Sequence, residues 1–337
     1  MNYPRLGAPS VAVIGAGISG LACAQELTRR GCAVSVFEKS RGAGGRASTR
    51  RRDGWRVDHG AQYFTVRSAR FAEQVAAWER RGIAAEWHGR VVELQANGSC
   101  VTKGDVPRYV GVPGMSRLAR ELAADLNVTW QTRVDGIHPP QRGGWRLRAG
   151  SVDLGRFDAL VSSAPAPQTS TLLREAAPAL ADACDAVDML PCWAVLAALP
   201  EPLALAYDAA FVEDNPLVWI ARDSSKPQRP QTTEVWVLHA GPTWSAEHIE
   251  DEAGDVAQML LGEFATVAEL ADLRPVHLEA HRWRYARSLE PRTDGCIIDH
   301  DARLAVCGDW LGGDRIEGAF LSGTAAAEQL ADLLVRG

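Results

Sequence analysis

The sequence predicts an α/β fold, and three observations predict it. Residues 10–37 read as an apolar strand, a glycine-rich turn, an amphipathic helix and a second strand. Near the other end, a buried strand at 304–307 meets glycine and an acid, and a long helix follows at 318–335. Between about 169 and 287 the pattern changes to half-buried strands rich in Trp and Val. The two ends are typical of a Rossmann-type parallel sheet, and the middle is typical of a second, sheet-containing domain.

The glycine-rich turn has the spacing of a dinucleotide-binding site. Gly15 allows a tight turn, Gly17 lets the backbone approach a pyrophosphate, and Gly20 lets the helix pack closely on the strand. The helix N-terminus then faces the phosphates with its free amides and positive dipole end. Glu38 follows the second strand, where a carboxylate accepts hydrogen bonds from a ribose. We therefore expect a dinucleotide to contact Gly15, Ala16, Gly17, Ile18, Ser19, Gly20 and Glu38.

Periodicity gives the remaining elements. Helices are predicted at 18–30, 71–81, 115–125, 249–264, 267–273 and 318–335. Strands are predicted at 10–14, 33–37, 91–94, 128–131, 134–137, 145–148, 159–161, 217–221, 234–239 and 304–307. No linker separates consecutive domains, so we expect two interleaved ones. The dinucleotide-binding domain takes 1–60, 106–168 and 290–337, and an α+β substrate domain takes 61–105 and 169–289.

Composition narrows the class of protein. The chain has 337 residues, 46% of them hydrophobic, and a net charge of −6, so we expect no nucleic-acid partner. The longest apolar stretch, 189–200, contains Pro191 and is too short for a membrane span, and the first residues lack the apolar core of a secretory signal. Seven scattered cysteines without CxxC spacing indicate reduced thiols. We expect a cytoplasmic protein without a metal site.

Three further motifs follow the first in a fixed order. Lys39 to Arg46 ends in Gly-Gly-Arg, Thr132-Arg133-Val134 reads as a strand that reaches an adenine, and Cys307-Gly308-Asp309 precedes the Ile316-Glu317-Gly318 helix start. Together they resemble the flavin amine oxidase and phytoene desaturase superfamily. The resemblance implies FAD, with Arg46 beside a phosphate and the last helix directed at the flavin. The implied contacts are Lys39, Gly45, Arg46, Gln62, Tyr63, Phe64, Val134, Asp309, Ile316, Glu317 and Gly318. The run Arg50-Arg51-Arg52 fits either a solvated basic loop or a further cofactor contact.

Two stretches narrow the resemblance. Residues 38–51 with 57–65, and His281-Arg-Trp283-Arg-Tyr285 later, are similar to renalase and its bacterial relatives. The similarity implies a p-hydroxybenzoate hydroxylase-like fold and non-covalent FAD. It also implies a substrate class: 2- and 6-dihydro isomers of NAD(P)H, which are oxidised to NAD(P)⁺ while O₂ becomes H₂O₂. Such a substrate needs no strong base, because loss of hydride makes its ring aromatic.

The active-site candidates are side chains able to hold a flat ring. They are His239, Trp283, Tyr285, Gln62 and Tyr63, of which His239 and Trp283 correspond to site residues in the renalase family. Each has a structural alternative, as a core aromatic or a satisfied histidine. A flavin amine oxidase stays open as the rival activity, with an amine as the substrate. It is disfavoured by Arg315, which stands where that family places a cage tyrosine. No second glycine-rich unit is present for a resident nicotinamide cofactor.

Overall fold

The structure is a computed structural model that describes residues 7–52, 54–104, 106–139 and 144–336. The helices are α1 Ile18–Arg29, α2 Ala69–Arg80, α3 Ser116–Ala123, α4 Ala166–Leu173, α5 Pro178–Asp185, α6 Pro242–Glu247, α7 Ala253–Val267 and α8 Ile316–Arg336. The strands are β1 Ser10–Ile14, β2 Ala33–Phe37, β3 Thr49–Arg52, β4 Trp55–Asp58, β5 Ala84–Glu86, β6 Val91–Leu94, β7 Cys100–Thr102, β8 Tyr109–Gly111, β9 Asn127–Thr129, β10 Gly136–His138, β11 Trp145–Ala149, β12 Val152–Phe157, β13 Ala159–Ser162, β14 Met189–Leu199, β15 Ala209–Val212, β16 Leu217–Arg222, β17 Glu234–Ala240, β18 His277–Ser288, β19 Ile297–Asp299 and β20 Leu304–Val306. Within the described ranges, no helix has the length and apolar character of a membrane span.

One sheet has the Rossmann arrangement that the sequence predicts. Its strand order is β19-β20-β13-β1-β2-β9, and all strands except β19 run parallel. The central β1 pairs with β2 and β13 and is buried between them. Because parallel strands end at one edge of a sheet, the residues after β1, β2 and β20 lie along the same edge. These are Gly15, Glu38 and Cys307, so the predicted fold class is confirmed.

The first and last helices hold this edge together. A Cβ at Gly323 in α8 would lie 2.0 Å from the Ser19 carbonyl oxygen in α1, so the two helices meet at a separation that only glycine allows. The contact joins the first and last parts of the chain. It also places the N-terminus of α8 near the end of β20, on the side where a ligand of the parallel sheet binds.

The second sheet has seven strands in the order β18-β14-β17-β16-β15-β6-β7. One face, including Trp193 and Trp236, is buried in a hydrophobic core with residues of α7. On the other face, Leu196 and Val237 pack against Val57 of the β3–β4 hairpin. Since the hairpin follows the Gly-Gly-Arg loop, this second face is turned towards the dinucleotide-binding part of the chain.

The structure corrects two expectations about local structure. The helix predicted at 267–273 is absent, because α7 ends at Val267 and the φ angles of Glu269 and Asp272 are +53° and +46°. Positive φ angles do not occur inside a right-handed helix. The basic run Arg50-Arg51-Arg52 is a strand, β3, and not a solvated loop. A two-residue periodicity is hard to see there because the run places the same charge on both faces.

Candidate active site

The glycine-rich turn has the geometry of a phosphate cradle. Gly15 has a φ angle of +104°, and a Cβ at Gly20 would lie 2.2 Å from the Gly15 carbonyl oxygen. These two glycines are therefore required by the protein's own packing. A Cβ at Gly17 would meet no atom within 4 Å. The space beside Gly17 is open and lies at the N-terminus of α1, which is where a pyrophosphate fits.

Glu38 closes the same end of the sheet. Its carboxylate accepts hydrogen bonds from the amides of Ala16 and Ser40, both at 2.7 Å, and only 8% of the residue is exposed. The backbone carbonyl of Glu38 accepts from the Thr132 amide at 2.8 Å, which ties the predicted adenine-side segment to β2. Val134, two residues further on, is buried. Lys39 points away, since its Nζ is 3.2 Å from the Gln168 side-chain oxygen at an exposed position.

The Gly-Gly-Arg loop connects the first and last parts of the predicted cofactor site. The Gly44 amide donates to the Ala16 carbonyl at 3.0 Å, and Gly45 has a φ angle of +52°. Arg46 then donates to the Asp309 carboxylate at 2.5 Å and to the Ala286 carbonyl in β18 at 3.1 Å. One guanidinium therefore joins the loop, the acid after β20 and the substrate sheet. Arg46 and Asp309 are held beside each other with part of each side chain still exposed.

Two predicted cofactor residues also have partners within the protein. The Glu317 carboxylate accepts from the amide and hydroxyl of Ser68, at 2.7 and 2.6 Å, and so caps the start of α2. Phe64 is 3% exposed and packs among Phe71, Trp78 and Tyr109, while its backbone N–H and C=O both pair with Tyr109. The start of α8 offers backbone groups at Ile316, and Gly318 is packed against the Gly312 carbonyl. The Glu317 carboxylate and the Phe64 ring thus have partners within the protein, and their contact with the cofactor stays a prediction.

A row of four residues crosses the second face of the large sheet. Trp219 is paired with His239, His239 with Ala194, and Ala194 with His281, in successive strands β16, β17, β14 and β18. Ala194, in the middle of the row, has the smallest of these four side chains. Trp283 lies on the same face two residues after His281, with the ring centroids 4.3 Å apart, and Tyr285 follows in the same alternation. The row forms a largely aromatic surface, in which the His281 and Trp283 rings are inclined at 75° to each other.

His59 completes this surface from the hairpin side. Its ring stacks on Trp283 at 5.1 Å and meets His281 edge-on at 4.8 Å. Its carbonyl accepts a hydrogen bond from Trp283 Nε1 at 2.9 Å. A Cβ at the next residue, Gly60, would lie 2.0 Å from the Arg46 carbonyl and 3.4 Å from the Trp283 ring. The aromatic surface is therefore in direct contact with the Gly-Gly-Arg loop that the sequence assigns to the cofactor.

The three histidines of this surface are neutral at physiological pH. Burial, with smaller contributions from His281 and Arg50, lowers the pKa of His59 to about 3. Burial also lowers the pKa of His239, beside Lys226, and of His281, beside Arg50, in each case to about 4. His59 Nδ1 and His239 Nε2 are buried and, within the described residues, make no hydrogen bond of normal geometry, although the His59 backbone lies close enough to His239 to oppose the lowering of its pKa. Unpaired buried imidazole nitrogens in native proteins call for a ligand or water.

A buried group of four charged residues, which we call the charge quartet, lies behind the surface. It consists of Asp58, Asp223, Lys226 and Arg229, whose side chains are 0% exposed. Lys226 is 2.6 Å from Asp223, and Arg229 is 2.5 Å from Asp58. Burial alone would raise the pKa of Asp58, but the two cations and a hydrogen bond from Thr49 hold it below its ordinary value. The quartet carries no net charge.

Gln62 and Tyr63 occupy different surroundings. Gln62 accepts from Lys226 at 3.1 Å and donates to the carbonyls of Asp58 and Gly60, so its amide fixes the loop that carries His59. Tyr63 lies 5.5 Å from Trp219 and 5.6 Å from the Arg108 guanidinium. It therefore extends the aromatic surface at the Trp219 end. Arg315 is exposed.

The sequence did not predict His59, His281 or Trp219 as active-site residues. His281 shares the His-x-Trp-x-Tyr alternation of β18 with two selected residues, which is the signal that identifies it. His59 and Trp219 have no comparable local signal, because their neighbours come from other strands. Although three imidazoles meet, the described part of the chain contains no group of three or more His, Cys, Asp or Glu side chains that could hold a metal ion.

Two family models cover the chain. One described as flavin containing amine oxidoreductase matches residues 83–331, and one described as NAD(P)-binding Rossmann-like domain matches residues 13–77. Among curated proteins, the tRNA 5-methylaminomethyl-2-thiouridine biosynthesis bifunctional protein MnmC of Magnetococcus marinus is 29% identical over 47% of this chain and 30% of its own length. A 4,4'-diapophytoene desaturase of Staphylococcus haemolyticus is 46% identical over 15% of this chain and 10% of its own length. The chain thus spans less than a third of either relative.

Similar folds occur among solved structures. Cyclohexylamine oxidase from Brevibacterium oxydans aligns with a TM-score of 0.74 and 13% identity, over 98% of this chain and 100% of that chain. An oxidoreductase from Methanosarcina mazei aligns with a TM-score of 0.68 and 14% identity, over 95% and 100%. At such identities the likeness concerns the fold, and it covers both sheets.

Proposed function

We propose, from the premise that the chain belongs to the flavin-containing amine oxidoreductase family, that it oxidises dihydronicotinamide nucleotides. The protein uses FAD as its cofactor. In the proposed reaction a 2- or 6-dihydro isomer of NAD(P)H, O₂ and a proton give NAD(P)⁺ and H₂O₂. A nicotinamide nucleotide is here a substrate that binds at the aromatic surface, and it is not a second resident cofactor.

The observation that carries this proposal is the pair of imidazole nitrogens without a hydrogen-bond partner on the aromatic surface. A nicotinamide has a planar ring and a carboxamide with one acceptor and one donor group. Neutral imidazoles, such as those of His59 and His239, can donate at one nitrogen and accept at the other. The surface therefore offers aromatic rings for stacking and hydrogen-bonding groups that suit a nicotinamide.

The residues present fit FAD, and their roles follow from their positions. The open space at Gly17, the Glu38 carboxylate and Arg46 would hold the pyrophosphate and ribose. Bound FAD supplies the acceptor for two electrons. The aromatic surface holds the substrate ring flat, which supplies the orientation that such a transfer needs. His59 and Trp283, stacked on each other beside the Gly-Gly-Arg loop, would shield that space from water.

The charges near the surface disfavour a protonated amine. Burial, with smaller contributions from Lys226 and Arg50, lowers the pKa of His239 and His281. The carboxylates of Asp58, Asp223 and Glu279 are each already paired with a cation, so an ammonium substrate would find no unpaired carboxylate among them to balance its charge. A neutral dihydropyridine attached to phosphates meets no such penalty. Amine oxidation, the activity after which the family is named, is the second candidate.

An anaerobic flavin-reduction experiment tests the proposal. We expect 6-dihydro-NAD and 2-dihydro-NAD to bleach the flavin within seconds, and ordinary NADH to act at least 100-fold more slowly. His239→Leu should slow the reduction at least tenfold with unchanged FAD content, whereas the exposed control His300→Leu should react as the wild type. Faster bleaching by cyclohexylamine or putrescine would establish the amine oxidase alternative. No reduction by any dihydronicotinamide would refute the proposal.

A further inference from the structure

A small basic cleft lies one hydrogen bond from the charge quartet. We call it the arginine cleft: its lining includes Arg51, Arg56, Arg117 and Arg120, together with Thr49 and Gly114. Its volume is about 140 Å³. Thr49 donates to Asp58 at 2.6 Å, which links the cleft to the quartet. Four arginines in one cleft stand out in a chain whose net charge is −6.

The cleft contains two pairs of neighbouring arginines. Arg51 and Arg56 are directly opposite each other in the antiparallel β3–β4 hairpin. Like charges at such positions destabilise a hairpin. Arg117 and Arg120 are three residues apart in α3 and lie on the same side of that helix. A fold that holds four guanidiniums in these positions gains stability when an anion neutralises them.

Most of this positive charge is not balanced inside the protein. Arg117 is 3.2 Å from Glu121. In the residues that the structure describes, Arg51, Arg56 and Arg120 have no ion-pair partner. The first amides of α3 are also occupied, because Met115 donates to Asp58 at 2.9 Å and Ser116 donates to Thr49 at 3.0 Å. The groups free to bind a ligand are therefore guanidiniums and not helix amides.

We propose that the arginine cleft binds a small phosphate-bearing anion, at a site separate from the FAD pyrophosphate. Planar guanidiniums match phosphate oxygens in bidentate geometry, and three unpaired ones balance the charge of a diphosphate. The volume is below the range of pockets that enclose drug-sized ligands. The size therefore favours one or two phosphoryl groups over a whole nucleotide inside the cleft. The FAD phosphates belong at Gly17, in the first βα turn, so the two anion sites are built from different segments.

Calorimetric titration of the FAD-saturated protein with inorganic pyrophosphate and with inorganic phosphate tests this site. Saturation with FAD keeps the dinucleotide site occupied. We expect one saturable site for pyrophosphate, with an affinity at least tenfold weaker in the double variant Arg51→Gln/Arg120→Gln. The control Arg146→Gln/Arg274→Gln removes two exposed arginines that are ion-paired elsewhere, at Asp153 and Asp272, and should stay within twofold of the wild type. Pyrophosphate binding by the wild type and by the control variant should weaken at higher salt.

The outcomes separate the alternatives. Thermal unfolding provides a second readout: pyrophosphate should raise the melting temperature of the wild type, and the Arg51→Gln/Arg120→Gln protein alone should melt no lower than the wild type. Equal pyrophosphate affinity in the two double variants would refute the site. The proposal would also be refuted if pyrophosphate binding changed the flavin absorbance, or if a flavin-reducing substrate displaced the pyrophosphate, because the anion would then lie at the active site. Arginine-dependent binding of an oligonucleotide without binding of pyrophosphate would assign the cleft to nucleic acid and also overturn the proposal.

Discussion

Acidification should destabilise this protein through its buried histidines, and the size of the effect follows from His59. The residue is 5% exposed, and its pKa is lowered from 6.5 to about 3, chiefly by burial. In the unfolded chain the imidazole takes up a proton below its ordinary pKa, whereas in the folded protein it stays neutral. Stability is therefore complete above pH 6.5 and is lost as the pH falls towards 3. Between pH 7 and pH 5, one such histidine removes about 2 kcal/mol from the free energy of unfolding.

Urea unfolding at pH 7 and pH 5 measures this effect. The wild type should lose about 2 kcal/mol more between the two pH values than His59→Gln does. The difference between the two pH values is the informative quantity, because the substitution itself also changes packing at both. His300→Gln removes an exposed histidine and should keep the wild-type pH dependence. If His59→Gln and His300→Gln lose the same free energy on acidification, His59 does not titrate as a buried neutral imidazole and the reasoning fails.

Three further predictions follow from single contacts. Gly17→Ala should leave the unfolding free energy of the apoprotein within about 1 kcal/mol of the wild type but weaken FAD binding at least tenfold. Gly20→Ala should instead lower the melting temperature, because its Cβ would collide with the Gly15 carbonyl. Equal melting temperatures of the two variants would contradict this. Glu38→Gln should weaken FAD binding at least tenfold in a fluorescence titration, since an amide cannot accept from both Ala16 and Ser40 with two oxygens; unchanged affinity would remove Glu38 from the ribose site. Lys226→Met should lower the free energy of unfolding in urea by about 3–5 kcal/mol, because Asp58 and Asp223 would then share one cation. A loss below about 1 kcal/mol would show that the quartet tolerates an unbalanced carboxylate.

Local pattern predicts the parallel sheet well because its constraints lie close together in sequence. The strands at Ser10–Ile14 and Ala33–Phe37 have the bounds that periodicity indicates, and α1 differs by one residue. A glycine-rich turn between an apolar strand and a helix has few alternative conformations. The helix predicted at 267–273 is wrong because apolar residues recur there at helical spacing, but two residues adopt left-handed backbone angles.

The substrate surface is less accessible to sequence reasoning because it is assembled by register. His239 is brought beside Trp219 and Ala194 by strand pairing, and His59 reaches Trp283 from a residue 224 positions away. No local pattern specifies those pairings. The composition of one strand, His-x-Trp-x-Tyr in β18, indicates a shared face but not what that face meets. The charge quartet likewise joins Asp58 to residues more than 160 positions away.

The β3–β4 hairpin explains how these features are connected. Its side chains alternate, so Arg50, Trp55 and Val57 face the substrate sheet, while Arg51 and Arg56 face the arginine cleft. The strand then ends at Asp58 in the charge quartet, and His59 follows at the aromatic surface. A one-residue slip of this short hairpin would exchange its two faces and place Arg51 against the apolar core. Because the Asp58 carboxylate accepts from both Thr49 and Met115, it fixes that register from two sides. We therefore conclude that the buried charges of this protein set the position of the hairpin, and that the position of the hairpin determines where His59 and the cleft residues Arg51 and Arg56 lie.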